Sequence, residues 1–178
     1  MNFSEIYTSA PLEERSSLEM KTYQILDKLN IKYERIDHEA VSSMEECVEV
    51  NKKLKVEIRK NIFLCNSKKT TFFLFVLPAN KPFDTKKFCQ KLGLSHVSFA
   101  NEEYMEKYLG TKPGSATIMG LLCDEDDYVQ VILDKEIIEE EYFGCNPGQN
   151  TSHIKIKTED LLKKFLPYVK HRPKIIEM

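Results

Sequence analysis

The stretch from Lys60 to Leu77 reads KNIFLCNSKKTTFFLFVL and consists of two apolar segments separated by a polar turn. Residues 61–65 and 71–77 have the length and composition of strands, and NSKKT between them is typical of a hairpin turn. The second segment, FFLFVL, is apolar at every position, which is typical of a strand covered on both faces. This stretch therefore predicts a hairpin inside a sheet with other elements packed on both sides.

Helical and strand-like segments alternate on either side of the hairpin, without repeats or low-complexity tracts. Capping residues, glycines and prolines indicate where each helix begins and ends. Mixed order with mostly short strands predicts an α/β (mixed α+β) fold on a curved or closed sheet. The expected elements are a helix from Leu18 to Leu29 behind Ser16 or Ser17, a strand at 33–36, a helix begun by a Ser42–Glu45 capping box, a helix capped by Asp84 and ended by Gly93, a helix from Asn101 to Gly110, strands near 117–123, 128–133 and 153–157, and a last helix capped by Thr158 and ended by Pro167.

No linker divides the chain, so residues 1–178 are expected to form one domain. Its core is expected at about 18–166, with a short N-terminal extension and a basic C-terminal extension, VKHRPKIIEM, that is loosely held. No run of 18 apolar residues and no secretory signal occur, which predicts a cytoplasmic protein with no membrane partner. The net charge of −2 argues against DNA or any other polyanion bound by overall charge, so a nucleic-acid partner must meet a local patch.

The composition also argues against several classes of site. The five cysteines show no CxxC pair and no metal-ligand spacing with histidine, so neither a metal site nor a cofactor is predicted. The chain has no GxSxG, Walker A, HExxH or Rossmann glycine motif. The acidic cluster at 123–128 is more typical of a hairpin tip than of a calcium loop.

Two glycine-containing loops are the remaining candidates for chemistry. In GTKPGSATIMGL (110–121), Gly110 and Gly114 allow close backbone approach to a ligand, and Pro113 stiffens the turn between them. N–H groups in such a loop can face an anion or a polarised carbonyl oxygen, although the loop alone is more typical of a helix end and a tight turn. The loop GCNPGQNTS (144–152) either lines a small polar pocket or forms a surface turn. His38 is more typical of a structural residue than of a catalyst.

Four landmarks, YERIDHEAV, RKNIFLC, GTKPGSATIMGL and NPGQNTSHIKIKTEDLLKKFL, occur in one order along residues 18–166. Together they resemble the YbaK/ProX-like family of prolyl-tRNA editing domains, and most closely its freestanding members. The resemblance implies a mixed α+β fold with a barrel-like central sheet inside a shell of helices. It also implies a trans-acting aminoacyl-tRNA deacylase that hydrolyses the ester of mischarged tRNA(Pro), typically Ala-tRNA(Pro), as proofreading in translation.

The resemblance assigns roles to residues of this chain. Lys60 corresponds to the key lysine of the family, and the lysine alone would otherwise be taken as solvated. The resemblance implies a catalytic role for Lys60, Gly110 and Gly114, and it implies that the ribose hydroxyl of the substrate positions water. The residues expected to bind the substrate are Asn61, Pro113, Ser115, Ile118, Met119, Asn146 and Asn150. Many relatives have His-Pro where this chain has Asn146-Pro147, and an asparagine cannot titrate.

Selectivity and partners complete the expectations. Exclusion of proline is expected from Phe63, Ile118 and Met119 as pocket walls. The acceptor end of mischarged tRNA is the expected partner, with transient contact to prolyl-tRNA synthetase or an elongation factor. The residues expected to meet phosphates are Lys52, Lys53, Lys55 and Arg59. The alternative is a non-catalytic protein of the same fold that binds aminoacyl-tRNA or an amino acid as a sensor.

Overall fold

The structure, a computed structural model that describes residues 1–178, contains two β-sheets with helices packed on them. The strands are β1 (Tyr33–Asp37), β2 (Lys60–Cys65), β3 (Phe72–Leu77), β4 (Ser98–Phe99), β5 (Val129–Asp134), β6 (Tyr142–Cys145), β7 (Ser152–Lys157) and β8 (Lys174–Ile176). The helices are α1 (Ser17–Lys28), α2 (Cys47–Leu54), α3 (Thr85–Leu92), α4 (Glu102–Leu109), a 3₁₀ helix (Ile118–Cys123), α5 (Lys135–Glu139), α6 (Thr158–Asp160), a π-helical turn (Leu161–Phe165) and α7 (Leu166–Tyr168). None of these helices has the length and apolarity that a bilayer crossing requires.

The predicted hairpin is confirmed as the antiparallel pair of β2 and β3, with Lys60 opposite Leu77 and Cys65 opposite Phe72. In the turn, the side-chain oxygen of Asn66 accepts the backbone N–H of Thr70 at 2.9 Å and closes the loop. All six residues of β3 are buried, which confirms that both faces of this strand are covered. Because β3 lies in the middle of its sheet, it has no face or edge left for water.

The two sheets differ in the relative direction of their strands, and they are joined at one edge. The larger has the order β4-β2-β3-β5-β8 and is mixed, since β5 runs parallel to both β3 and β8. The smaller, β1-β7-β6, is antiparallel throughout. A bridge between Ile58 and Gly144 joins them, and the N–H of Arg59 donates to the carbonyl of Gly144 at 3.0 Å. The mixed α+β class is confirmed, with two abutting sheets in place of one closed barrel.

The main core fills the space between the facing sides of the two sheets, closed by α1, α4 and the 3₁₀ helix. A second cluster lies on the other face of the larger sheet, where Phe88 of α3 packs on Phe73 and Phe75. A third lies under α2, against Ile36 and Ile58. Alternate residues of β2 therefore serve different clusters, with Phe63 and Cys65 in the first and Ile62 and Leu64 in the second.

Most predicted helix ends are confirmed by hydrogen bonds. Ser16, Asp84 and Asn101 cap α1, α3 and α4, each accepting a backbone N–H of the first turn through its side-chain oxygen. Gly93 and Gly110 end α3 and α4 with left-handed backbone, at φ values of 66° and 62°. These positions favour glycine because an L-residue with a Cβ is strained there.

Two other helix ends differ from the prediction. The predicted Ser42–Glu45 capping box does not form, and α2 begins at Cys47 without a side-chain cap. In the turn before it, the Ser43 hydroxyl accepts from the Glu46 N–H at 3.3 Å, and the Glu46 carboxylate accepts the Ser43 N–H. Thr158 does not cap the last helix, since its hydroxyl has no partner. Pro167 does not end that helix either, because the helical backbone continues past it to Tyr168.

The predicted strand at 117–123 is wrong. The segment is the 3₁₀ helix, whose residues Ile118–Leu122 are buried between α1 and α4. A Cβ on Gly120 would lie 2.6 Å from the carbonyl oxygen of Leu109, so Gly120 permits this close approach to α4. A short apolar run is compatible with either state, and here the tight packing decides for the helical turn.

The C-terminal segment is also not loosely held. Residues 174–176 form β8 and pair in parallel with β5. His171 is buried, with Nε2 at 2.8 Å from the Asp124 carboxylate, while its Nδ1–H donates to the carbonyl of Val169 at 2.6 Å. Asp124 also accepts the N–H groups of Tyr128 and Val129. We name Asp124, Val169 and His171 the C-terminal clasp.

Candidate active site

A cavity of about 350 Å³ lies where the two sheets meet. It is bounded by the start of β2, the segment before α2, the loop after α4 and the facing ends of β6 and β7. Of the residues expected from the sequence, the lining contains Arg59, Lys60, Asn61, Phe63, Pro113, Gly114, Asn146 and Asn150. No aspartate or glutamate belongs to the lining, so the cavity offers no carboxylate base.

Lys60 begins β2 at the rim of the cavity and is partly buried. Its ammonium group donates to the backbone carbonyl of Lys81 and has no carboxylate within ion-pair distance. Burial lowers the pKa of Lys60, with no opposing acid to raise it. Strand alternation directs its side chain to the same face as Ile62, away from that of Asn61. The result is an unneutralised positive charge beside the opening.

Asn61 lines the cavity, and its side chain has an acceptor without a donor. Its amide nitrogen donates to the carbonyl of Arg59 at 3.3 Å, which fixes the orientation of the amide. Its side-chain oxygen is buried and unpartnered. The N–H of Arg59 donates to Gly144 and the carbonyl of Phe63 accepts from Ala100, so both point away from β3. Because the backbone groups of a strand alternate between its two edges, the N–H and C=O of Asn61 also point away from β3.

The loop after α4 contributes only some of its expected residues. Pro113 and Gly114 line the cavity, and Gly114 has left-handed backbone at φ 86° with open space where a Cβ would stand. Gly110 lies outside it, as the residue that ends α4, and a Cβ there would lie 2.7 Å from the sulfur of Cys123. Ser115 is buried beside the cavity without joining the lining.

The expected pocket walls are also divided. Ile118 and Met119 are fully buried in the main core and do not line the cavity, because the segment is helical and turns inward. Phe63 does form part of the wall. Phe99, Ala100 and Met105, which the sequence did not indicate, supply the remaining apolar surface on that side.

The two asparagines of the 144–152 loop hold neighbouring loops in place. The amide nitrogen of Asn146 donates to the carbonyls of Ser115 and Ala116, and its side-chain oxygen accepts the N–H of Gly148 at 2.9 Å. Asn150 donates to the carbonyl of Val41 at 2.9 Å. Asn146 therefore joins the two loops expected at the site, with both polar atoms of its side chain engaged.

Sequence reasoning missed His153, which lines the cavity from β7 and is 3% exposed. Its Nδ1 lies 2.8 Å from Nε2 of His38, and the two rings stack with centroids 4.9 Å apart. Burial, reinforced by His38, lowers the pKa of His153 to about 3, so the ring is neutral at pH 7. Only the pairing of β1 with β7, which sets Ile36 opposite His153, brings these histidines together.

Cys47 is a second lining residue that the sequence did not indicate. Burial and the neighbouring Glu46 raise the pKa of its thiol to about 11. The thiol therefore stays protonated at neutral pH and is a poor nucleophile.

Of the basic residues expected to meet phosphates near the opening, only the lysines are exposed. Arg59 is buried, and its guanidinium donates to the Glu57 carboxylate at 2.8 Å and to the Tyr142 carbonyl at 3.3 Å. Lys52 is exposed and pairs with Glu49 at 2.7 Å, while Lys53 and Lys55 are exposed. Arg59 is thus a structural residue, and the lysines at the end of α2 remain as exposed positive charge.

Comparison with known proteins agrees with this architecture. The chain is 32% identical over 138 residues to the prolyl-tRNA editing protein ProX of Acetoanaerobium sticklandii, covering 78% of this chain and 84% of the relative. It is 30% identical over 171 residues to the prolyl-tRNA synthetase associated domain-containing protein 1 of Bos taurus, covering 94% and 96%. A crystal structure described as a candidate trans-editing enzyme for prolyl-tRNA synthetase matches with a TM-score of 0.68 at 14% identity, over 93% of this chain and 99% of that one.

The family model of the aminoacyl-tRNA editing domain matches residues 38–164. This range includes β2, both glycine-containing loops and every residue of the cavity lining. The chain therefore belongs to the aminoacyl-tRNA editing domain family.

Proposed function

We propose that this protein is a trans-acting aminoacyl-tRNA deacylase that hydrolyses mischarged tRNA(Pro) in the cytoplasm, with Ala-tRNA(Pro) as its main substrate. The observation that carries the proposal is that one cavity is lined both by Lys60, a cation without a carboxylate partner, and by Asn61, whose side-chain oxygen has no donor. Family membership and the name of the Acetoanaerobium relative support the reaction class.

The contents of the cavity favour hydrolysis assisted by the substrate. The lining has no carboxylate, and the Cys47 thiol stays protonated, so neither a carboxylate base nor a thiolate nucleophile is at hand. A ribose hydroxyl next to the ester can position the attacking water instead. Lys60 then stabilises the terminal phosphate or the ester carbonyl, and N–H groups near Gly114 stabilise the developing oxyanion.

Selection of the alanyl ester is proposed to be steric. The cavity is small, and Phe63, Ala100 and Met105 form apolar walls on one side. One methylene in an apolar pocket changes binding by only about 1–3 kcal/mol, so affinity alone separates alanine from proline poorly. Walls that leave no room for the pyrrolidine ring can exclude proline much more strongly.

The decisive test is an assay of the purified protein on alanyl-, seryl-, cysteinyl- and prolyl-tRNA. We expect the alanyl ester to be cleaved much faster than the prolyl ester. Equal cleavage of both would exclude a proofreading role. Protection of all four esters without turnover would instead support a sensor that binds aminoacyl-tRNA.

A further inference from the structure

The carbonyl group that accepts from Lys60 belongs to a turn just after β3. This turn, PANKPF at residues 78–83, is closed by the N–H of Lys81, which donates to the carbonyl of Pro78 at 3.1 Å. Lys60 stands opposite Leu77 at the last pair of the hairpin, and its ammonium group donates to the carbonyl of Lys81. The backbone of Lys81 therefore determines where the Lys60 ammonium group is held.

The side chain of Lys81 anchors the same turn to β5 and α5. Its Nζ lies 3.0 Å from both carboxylate oxygens of Asp134 and 2.8 Å from the Glu136 carboxylate. Asp134 is fully buried, and its carboxylate also accepts the N–H of Glu136 at 3.0 Å and that of Met178 at 3.3 Å. Separating a buried ion pair is costly, because it leaves a charge without compensation. The pair with Asp134 thus fixes the position of Lys81.

This arrangement holds Lys60 without neutralising it. Lys81 pairs with the carboxylates of Asp134 and Glu136, and Lys60 receives a carbonyl, which carries no net charge. A direct ion pair with a carboxylate would cancel much of the field that an anionic group of the substrate meets. An ammonium group has three hydrogens to donate, so one bond to a carbonyl leaves two for a ligand.

We propose that Lys81 is a positioning residue for ester hydrolysis, because its ion pair with Asp134 fixes the carbonyl that holds the Lys60 ammonium group at the rim of the cavity. The inference rests on the proposed function and extends the site beyond the cavity lining, to which neither Lys81 nor Asp134 belongs. Lys81 acts through Lys60 and contacts no reacting atom. A displacement of about 1 Å near a reacting bond can slow the reaction by up to about a hundredfold.

The kinetic test measures kcat/KM for Ala-tRNA(Pro) in variants of Lys81. Lys81→Met should lower it about tenfold, and Lys81→Arg, which can still pair with Asp134, should recover most of the loss. In a Lys60→Ala background, Lys81→Met should change the rate less than about twofold, because residues that act as one unit are not additive. Exposed Lys86→Met, in α3, is the matched control. The same loss with and without Lys60, or no recovery with arginine, would overturn the inference.

A paired replacement avoids the unfolding that an unpaired Asp134 could cause. Lys81→Met combined with Asp134→Asn removes the ion pair without leaving a buried charge, and the asparagine oxygen can still accept the N–H of Glu136 at the start of α5. We expect this double variant to fold and to melt closer to the wild type than Lys81→Met does, with kcat/KM as low as in Lys81→Met. A folded double variant with wild-type activity would contradict the role of the ion pair.

The last test does not require turnover. An ammonium group that is held by a hydrogen bond exchanges its protons slowly enough to give a ¹⁵Nζ cross-peak by NMR, and the Lys60 peak is assigned by its absence from Lys60→Ala. We expect this peak to persist in Lys81→Arg and to disappear in Lys81→Met. A Lys60 peak that is absent from the wild type or unchanged in Lys81→Met would overturn the inference. If no variant cleaves an ester but the peak responds as expected, the deacylase proposal fails and the control of Lys60 by Lys81 stands.

Discussion

His153 and His171 are both almost fully buried, but their nitrogens meet opposite surroundings. His153 has a second imidazole on one nitrogen and an open cavity on the other. In the C-terminal clasp, His171 has a carboxylate on one side and a carbonyl on the other, and its pKa is raised despite burial because Asp124 favours the charged ring. A region with every polar group paired serves stability, whereas a region with unpaired acceptors is available to a ligand.

The largest effect is expected where the clasp is broken. Asp124→Ala removes the partner of His171 and the acceptor of two backbone N–H groups, which should lower the free energy of unfolding by about 3–5 kcal/mol. Urea unfolding measures this loss, with the exposed Asp126→Ala as the control. Turnover per folded molecule should stay unchanged. A variant as stable as the parent would show that the clasp contributes nothing.

A change at the cavity should instead reduce activity and leave stability almost unchanged. Lys60→Ala should lower the rate of ester hydrolysis by about 10²–10³, because one positioned charge is lost at the transition state. The melting temperature should change little, since Lys60 has no ion-pair partner. Lys68→Ala, at the exposed turn of the same hairpin, is the control. Hydrolysis at the parental rate would remove Lys60 from the site.

Two glycines with left-handed backbone extend the comparison to a single loop. Gly110→Ala should cost about 1–2 kcal/mol of stability with kcat/KM preserved, because the strain and the contact with Cys123 lie outside the cavity. Gly114→Ala carries similar strain, but its methyl group enters the space at the opening, so activity should fall more than stability. Parallel melting and turnover measurements separate the two. Equal loss of activity in both variants would place Gly110 in the site after all.

The two histidines should also give opposite pH dependence of stability. The pKa of His171 is raised above its ordinary value of 6.5, so its contribution is complete below pH 6.5 and is lost as the pH rises through the folded-state pKa. His153 resists protonation when folded, so stability should fall by about 1 kcal/mol as the pH drops from about 7 to about 5.5.

The effects oppose each other in the wild type, and single variants separate them. His171→Asn should leave only the loss on acidification, and His153→Gln only the loss on raising the pH. Chemical denaturation at each pH gives the slopes. Identical slopes in the two variants would contradict the assignment of either ring.

The smallest effect concerns the surface lysines. If Lys52 and Lys53 each meet one phosphate, tRNA affinity should fall about tenfold between roughly 50 and 200 mM salt. Lys53→Ala should weaken binding a few-fold and reduce the salt dependence by about one phosphate, as measured by filter binding. Lys68→Ala again provides the control. An affinity that does not respond to salt would exclude this surface as the tRNA contact.

Local sequence signals predicted the parts of this fold that local physics determines. The β2–β3 hairpin and the caps at Ser16, Asp84 and Asn101 depend on neighbouring residues only, and each is confirmed. The 3₁₀ helix at 118–123 could not be predicted, because its state depends on tertiary packing against both α4 and the sequence-distant α1. The same holds for the C-terminal segment, whose pairing with β5 is a tertiary contact.

The site divides in the same way. Lys60 and Asn61 stand together at the start of a recognisable strand, but it was the resemblance to the editing family that identified them, since the lysine alone would be taken as solvated. His153 could not be found, since its partner His38 is 115 residues away and only the register of β1 and β7 brings them together. Ile118 and Met119 were expected as pocket walls from their place after the glycine loop, and the helical turn buries them instead.

The strand β8 has a consequence for the behaviour of the chain in concentrated solution. It is three residues long, carries the exposed Lys174, and covers the end of β5 from Ile132 to Asp134. Without it, the N–H and C=O groups along the edge of an apolar strand would be open to pairing with another molecule. The pairing of β8 with β5 therefore protects this edge from self-association. We expect that a variant truncated after His171 will aggregate.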